Sequence, residues 1–266
     1  MTEQLNGFTV EARDDIAWLT LARPEKHNAF DDQLIADLTA AFSQLDRDES
    51  IRAIILCAEG KSFSAGADAN WMRRMAGYSE AENLADAQAL AGLMETIDRL
   101  SKPVVARVQG PAIGGGVGLV ACSDIVIAAD SAFFQLSEVR LGLTPATISP
   151  YVVRAIGGRA ARRYFLTAER IDAPTAQHLG LVHEVVAADA LDSAVAGIIA
   201  HLRKGGRQAQ ATSKHLVELV RETDPSIVRT ATAEQIASVR VGAEAQEGLA
   251  AFLEKRKPAW AAGEGS

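Results

Sequence analysis

The sequence predicts an α/β fold with a strand-rich front and a helical back. Three observations carry that prediction. Short apolar, β-branched runs alternate with helix-period segments over the first 130 residues. From residue 148 onward the pattern is almost wholly helical. Two small-residue loops, 63–68 and 114–116, each follow a strand-like run and precede a helix. At 266 residues and 48% hydrophobic, the chain is long enough to bury one large core. We expect a core over residues 1–188 and a helical C-terminal region over 189–266.

The elements follow in order. Phe8–Glu11 and Ala17–Leu21 read as a hairpin closed by the polar turn Arg13–Asp15. Asp31 and Asp32 offer N-caps to a helix that places Leu34, Ile35, Leu38, Ala41, Phe42 and Leu45 on one face. Ala53–Cys57 is a buried strand by length and β-branching, and it feeds the loop 63–68. From there to Tyr78 the chain is polar and reads as a mobile stretch. Ser79 and Glu82 form a capping box for a helix carrying Leu84, Leu90, Leu93, Met94, Ile97 and Leu100. Lys102-Pro103 stops that helix, and the strand Val104–Val108 begins at once. After the glycines come strands at Ile125–Ile127 and Phe133–Gln135, then two helices parted by Gly157-Gly158. Pro174 sits in the first turn of another helix, and Leu181–Val186 is a last strand. Three or four helices, rich in Ala, Glu, Gln and Arg, complete the chain beyond Asp189.

Composition excludes several classes. A net charge of −7 and the lack of a Lys/Arg-dense helix argue against a nucleic-acid partner. No run of 18 apolar residues is present to span a membrane, and the first six residues show no signal-peptide pattern, so a cytoplasmic location is expected. Cys57 and Cys122 sit in apolar runs without CxxC spacing, as reduced core thiols do. The five histidines are scattered with no paired spacing, and no metal site is expected. Gly116-x-Gly118-x-x-Ala121 matches a dinucleotide fingerprint. Its helix is too short for a parallel crossover, however, and Asp130 falls only 14 positions after Gly116 where about 20 are needed. Ser64 lies in Phe-Ser-Ala-Gly, not in the nucleophile-elbow pattern of hydrolases.

What remains is the pair of bare loops. Two backbone turns at strand-to-helix junctions can aim two N–H groups at one carbonyl oxygen, which is how a developing oxyanion is held without side chains. The chemistry this suits is that of an acyl group passing through an enolate.

Five motifs in order extend the argument: residues 23–29 (Arg-Pro-Glu-Lys-His-Asn-Ala), 61–68 (Lys-Ser-Phe-Ser-Ala-Gly-Ala-Asp), 102–116 ending in the three glycines, 122–128 and 134–142. The tail 247–258 adds a sixth. With these, the chain resembles the enoyl-CoA hydratase/isomerase (crotonase) superfamily along nearly its whole length, and most of all bacterial methylglutaconyl-CoA hydratases. The resemblance implies a spiral of ββα units, a helical C-terminal region used in trimer formation, and a homotrimer or hexamer. It implies an acyl-CoA substrate that carries the coenzyme A itself, so that no separate cofactor is needed.

Carried over by position, the resemblance gives the oxyanion N–H groups to Ala67 and Gly115. It puts Lys26 and Ala29 beside the nucleotide end, and the backbone of Ala65 and Asp68 against the adenine or pantetheine. Phe252 and Lys255 would reach the coenzyme from a neighbouring subunit. Of the family's two glutamates, the second matches Glu138, while the first falls on Gly118. A single glutamate suits either hydration or double-bond isomerisation, so an enoyl-CoA isomerase or a general short-chain hydratase stays open beside a methylglutaconyl-CoA-like hydratase. A substrate carboxylate would need a cation, for which Arg73, Arg74 and Arg140 are candidates.

Overall fold

A computed structural model of the chain describes residues 2–222 and 224–261. The order of elements is β1 (Thr2–Leu5), β2 (Phe8–Arg13), β3 (Ile16–Leu21), α1 (Asp32–Arg47), β4 (Ala53–Ala58), α2 (Ala69–Met75), α3 (Glu80–Arg99) and β5 (Val104–Val108). Then follow β6 (Ala112–Ile113), α4 (Gly115–Ala121), β7 (Ile125–Ala129), β8 (Phe133–Gln135), α5 (Ser149–Thr167), β9 (Ile171–Asp172), α6 (Ala173–Leu179) and β10 (Glu184–Val186). The chain closes with α7 (Leu191–Lys204), α8 (Arg207–Glu222), α9 (Pro225–Val241) and α10 (Ala243–Leu253). It divides into two units, one of residues 1–100 and 104–195, the other of 101–103 and 196–266.

In the first unit a seven-stranded sheet runs β1-β2-β3-β4-β5-β7-β10. Its first three strands pair antiparallel and the rest parallel. The expected hairpin is β2–β3, with Asp14 at φ 54 turning the chain more tightly than the polar run suggested. β1 extends the sheet at its edge and has no counterpart in the sequence reading. All six residues of β4 are buried, as the central strand of a sheet covered on both faces requires.

α1 buries all six residues that its periodicity selects, and the Asp31 side chain accepts the Leu34 N–H at its start. The Ser79–Glu82 capping box is present, and α3 buries Leu93, Met94 and Ile97 while Leu84 stays exposed. Gly157 breaks α5 at φ 75, ψ 152, as the paired glycines predicted. One expectation is overturned. The stretch after residue 68 forms α2 rather than a polar loop, because Asp68 caps its first turn and Trp71 anchors it in the core.

A second sheet of three short strands, β6-β8-β9, positions the functional loops. β6 pairs with β8 in parallel, Ile113 opposite Gln135, so the segment before the glycines lies alongside the segment before Glu138.

The second unit contains α8, α9 and α10. The Glu244 carboxylate accepts the N–H groups of Gln208 and Ala209 at the start of α8, and two salt-bridge contacts join Arg256 to Glu247 and Glu254. These helices leave Val217, Val220, Ile227, Ile236, Phe252 and Leu253 exposed. Among the described residues no helix is long and apolar enough to cross a membrane.

Candidate active site

Four backbone segments lie side by side in the first unit, and hydrogen bonds fix their spacing. Phe30 sits in a parallel bridge with Ala67, receiving at its carbonyl the Asp68 N–H (2.9 Å) and donating its own N–H to Gly66 (2.8 Å). Ser64 bridges Ala112 and accepts the Ile113 N–H at 2.9 Å. Gly114 donates to the Gln135 carbonyl at 2.8 Å, and three residues later the chain reaches Glu138.

This stitching leaves two donors unused. In the bridge to Phe30 it is the neighbours of Ala67, Gly66 and Asp68, that make the hydrogen bonds. Gly115 is the first residue of α4, where an N–H has no partner within its own helix. Among the described residues neither the Ala67 nor the Gly115 N–H is given to an acceptor. Both residues are half-buried, while Gly66, Asp68, Gly114 and Gly116 around them are buried.

Glycine is obligatory at two points. Gly66 has φ 80, and a Cβ there would stand 2.8 Å from the Ile113 carbonyl oxygen and 3.4 Å from the Gly115 nitrogen. Gly114 has φ 54 and ψ −122, a conformation closed to residues with a side chain.

Glu138 opens a short 3₁₀ turn, Glu138–Leu141, after β8. Its Oε1 would lie 3.2 Å from a Cβ on Gly114, and its Oε2 is buried with no hydrogen-bond partner. Burial pushes the carboxyl above its ordinary pKa, partly offset by a hydrogen bond from its own backbone N–H. A half-buried carboxylate with one oxygen free of partners, in the same loop cluster as two free N–H donors, can move a proton to or from a group bound at those donors.

Asp68 is in a different state. Burial works against its ionisation. The Asn70 and Trp71 N–H groups and the Lys26 ammonium, 3.2 Å away, outweigh that and hold its pKa below the ordinary value. It caps a helix and anchors Lys26 and Arg23, and its backbone N–H is taken by Phe30. The Ala65 N–H is likewise taken, by the His27 carbonyl, which leaves only the Ala65 carbonyl for a ligand. Ala29 is buried, and Lys26 is ion-paired but still 42% exposed at its side chain. Phe252 is exposed at the end of α10, and Lys255 follows it at φ 55.

Sequence reasoning missed the neighbours of Gly118. That residue is buried in α4, and a Cβ on it would overlap Ile148 Cγ2 and stand 3.0 Å from Met94 Sδ. No local signal points to Ile148, thirty residues further along. The candidate cations have partners within the chain: Arg73 at Asn70, Arg74 at Asp32, and Arg140 at the Ala168 carbonyl. Among the described residues no cluster of His, Cys, Asp and Glu could hold a metal.

Strand-fed backbone loops beside a half-buried carboxylate are an arrangement that suits enolate chemistry on an acyl group. The sequence model of the enoyl-CoA hydratase/isomerase family matches residues 11–263, and the chain belongs to that family. A crystal structure of an enoyl-CoA hydratase from Shewanella pealeana is 46% identical, with a TM-score of 0.93 and 97% of each chain covered. An enoyl-CoA hydratase of Alternaria alternata is 35% identical over 93% of this chain and 81% of its own length. A crotonyl-CoA hydratase of Syntrophomonas wolfei is 32% identical over 94% and 96% respectively. The spiral fold with a helical C-terminal region that the resemblance implied is the fold observed.

Proposed function

We propose that this protein adds water across the double bond of an α,β-unsaturated acyl-CoA, with Ala67 and Gly115 holding the thioester oxygen and Glu138 as the one acid/base. The observation that carries the reading is the Glu138 carboxylate, its Oε2 buried without a partner and its Oε1 over Gly114, one residue from a free N–H donor. Glu138 takes a proton from water as the water oxygen bonds to Cβ. The displaced π electrons move onto the thioester oxygen, where the two N–H groups stabilise the enolate. Collapse of the enolate then returns the proton from Glu138 to Cα, so one carboxyl balances the whole addition. Lys26, with Ala29, Ala65 and Asp68 around it, would meet the coenzyme.

A methylglutaconyl-CoA-like substrate fits best with the resemblance, and Arg140, on the same turn as Glu138 and donating to the neutral Ala168 carbonyl, is our choice to meet its carboxylate. The test is loss of the conjugated-thioester absorbance with crotonyl-CoA and 3-methylglutaconyl-CoA. Turnover of the second at least tenfold more efficient supports the assignment, and no loss with either overturns hydration.

A second reading rests on the same lone carboxylate. With no partner at residue 118, Glu138 could instead carry a proton from Cα to Cγ of a 3-enoyl-CoA through the dienolate, which would appear as a gain of conjugated absorbance.

We also infer a homotrimer, or a hexamer built from two, with Phe252 and Lys255 reaching a neighbour's coenzyme. The exposed apolar side chains of α8, α9 and α10 support it, since monomers seldom expose so many on one region. A monomeric mass by light scattering at micromolar concentration would exclude it.

A further inference from the structure

We infer that Ile148 is a specificity-determining residue that limits how bulky the acyl chain can be beside Glu138. This rests on the acyl-CoA reading above. Gly114 is the residue that leads into α4, and Gly118 lies within that helix four residues further on. The Glu138 carboxylate covers the first, and Ile148 covers the second. With the thioester oxygen at Ala67 and Gly115, the reacting carbons lie toward Glu138, and what grows beyond them meets the neighbourhood of Gly118.

That neighbourhood is closed and apolar. Ile148 is only 1% exposed, and its Cβ would stand 3.1 Å from a Cβ at 118. Met94 Sδ closes the other side at 3.0 Å, and the Cys122 thiol lies 3.8 Å from that sulfur. Ile148 itself is held in place as the residue preceding α5. Every atom removed from it therefore becomes free volume one helical turn from the acid/base, because the fixed ends of α4 and α5 cannot collapse fully into the gap.

The arrangement also settles what an added side chain at 118 would do. Gly118→Glu would drive its stem into Ile148, so a second carboxylate there would force Ile148 to shift and would overpack the site.

The experiment reads binding, not turnover. Dissociation constants of butanoyl-CoA and 3-methylbutanoyl-CoA are measured by calorimetry for the wild-type chain, Ile148→Ala and Ile148→Val. The ratio should shift toward the branched thioester by about 5-fold or more in Ile148→Ala and in the same direction, but less, in Ile148→Val, in line with the worth of one or two methyl groups in an apolar pocket. A ratio within twofold of the wild type in either folded variant overturns the inference, since a purely structural role would weaken both ligands alike. Thermal melting adds a check: Gly118→Ala should melt well below the wild type, and much of that loss should vanish in the Ile148→Ala background. Equal losses in both backgrounds would show that Ile148 does not hold that space. A wild type that binds both thioesters yet hydrates none would refute the Glu138 mechanism while leaving the ratio to decide Ile148. One that binds neither refutes both.

Discussion

Glu138 Oε1 lies over Gly114, 3.2 Å from where a Cβ would stand, so the carboxylate rests against bare backbone. The residue that allows this contact is also the one that sets up the next, because Gly114 at φ 54 turns the chain so that the Gly115 N–H opens α4 unpartnered. Gly114→Ala should therefore act twice, by straining a glycine-only conformation by about 1–3 kcal/mol and by displacing the carboxylate. We expect turnover to fall at least tenfold while the protein remains folded, checked by steady-state kinetics beside a thermal melt. Unchanged turnover would mean that the carboxylate's seat is irrelevant.

The pH dependence has a definite sign. Burial raises the Glu138 pKa, and hydration needs the ionised form to take water's proton. The value of kcat/KM should therefore fall as pH drops through an apparent pKa above the ordinary glutamate range, and this limb should be missing in any variant lacking the carboxyl. A limb at or below the ordinary value would contradict the effect of burial on this carboxyl.

Lys26→Ala should raise KM for acyl-CoA several-fold with kcat little changed, because a cation near a phosphate contributes binding and not transition-state contacts. Its ion pair with Asp68 is partly exposed, so stability read from thermal melts should change by less than about 1 kcal/mol. Kinetics in which kcat falls and KM stays constant would remove Lys26 from the coenzyme site.

Asp68 separates charge from capping. Asp68→Asn keeps an oxygen to accept the Asn70 and Trp71 N–H groups, whereas Asp68→Ala removes it and should cost about 1 kcal/mol of stability. Circular-dichroism melts compare the two. If Asn destabilises as much as Ala, the ion pairs to Lys26 and Arg23, and not the cap, hold this loop.

Much of this was readable in the sequence, and the reasons differ by element. α1 was legible because its six apolar positions repeat at helical spacing, and α3 because Ser79 and Glu82 announce its start. The glycine loop and Glu138 were legible as motifs. α2 was not, since a seven-residue helix with one buried residue, Trp71, leaves no periodic trace. β6 and β9 have two residues each, too few for any alternation, yet β6 is what lays the glycine loop beside Glu138. The approach of Ile148 to Gly118 joins the start of α5 to the middle of α4, a tertiary fact that no local pattern encodes.

The most direct test of the central claim is the kinetics of Glu138→Gln. The amide keeps the shape and a hydrogen-bonding group but cannot carry the proton between water and Cα. Ala67 and Gly115 act through backbone N–H groups that the change does not touch. Loss of a general acid/base lowers rates by roughly 10²–10⁴-fold. On the best enoyl-CoA substrate we expect kcat to fall by that order with KM within about threefold of wild type. Turnover within tenfold of the wild type would show that the proton travels by another group and would end the single-carboxylate account.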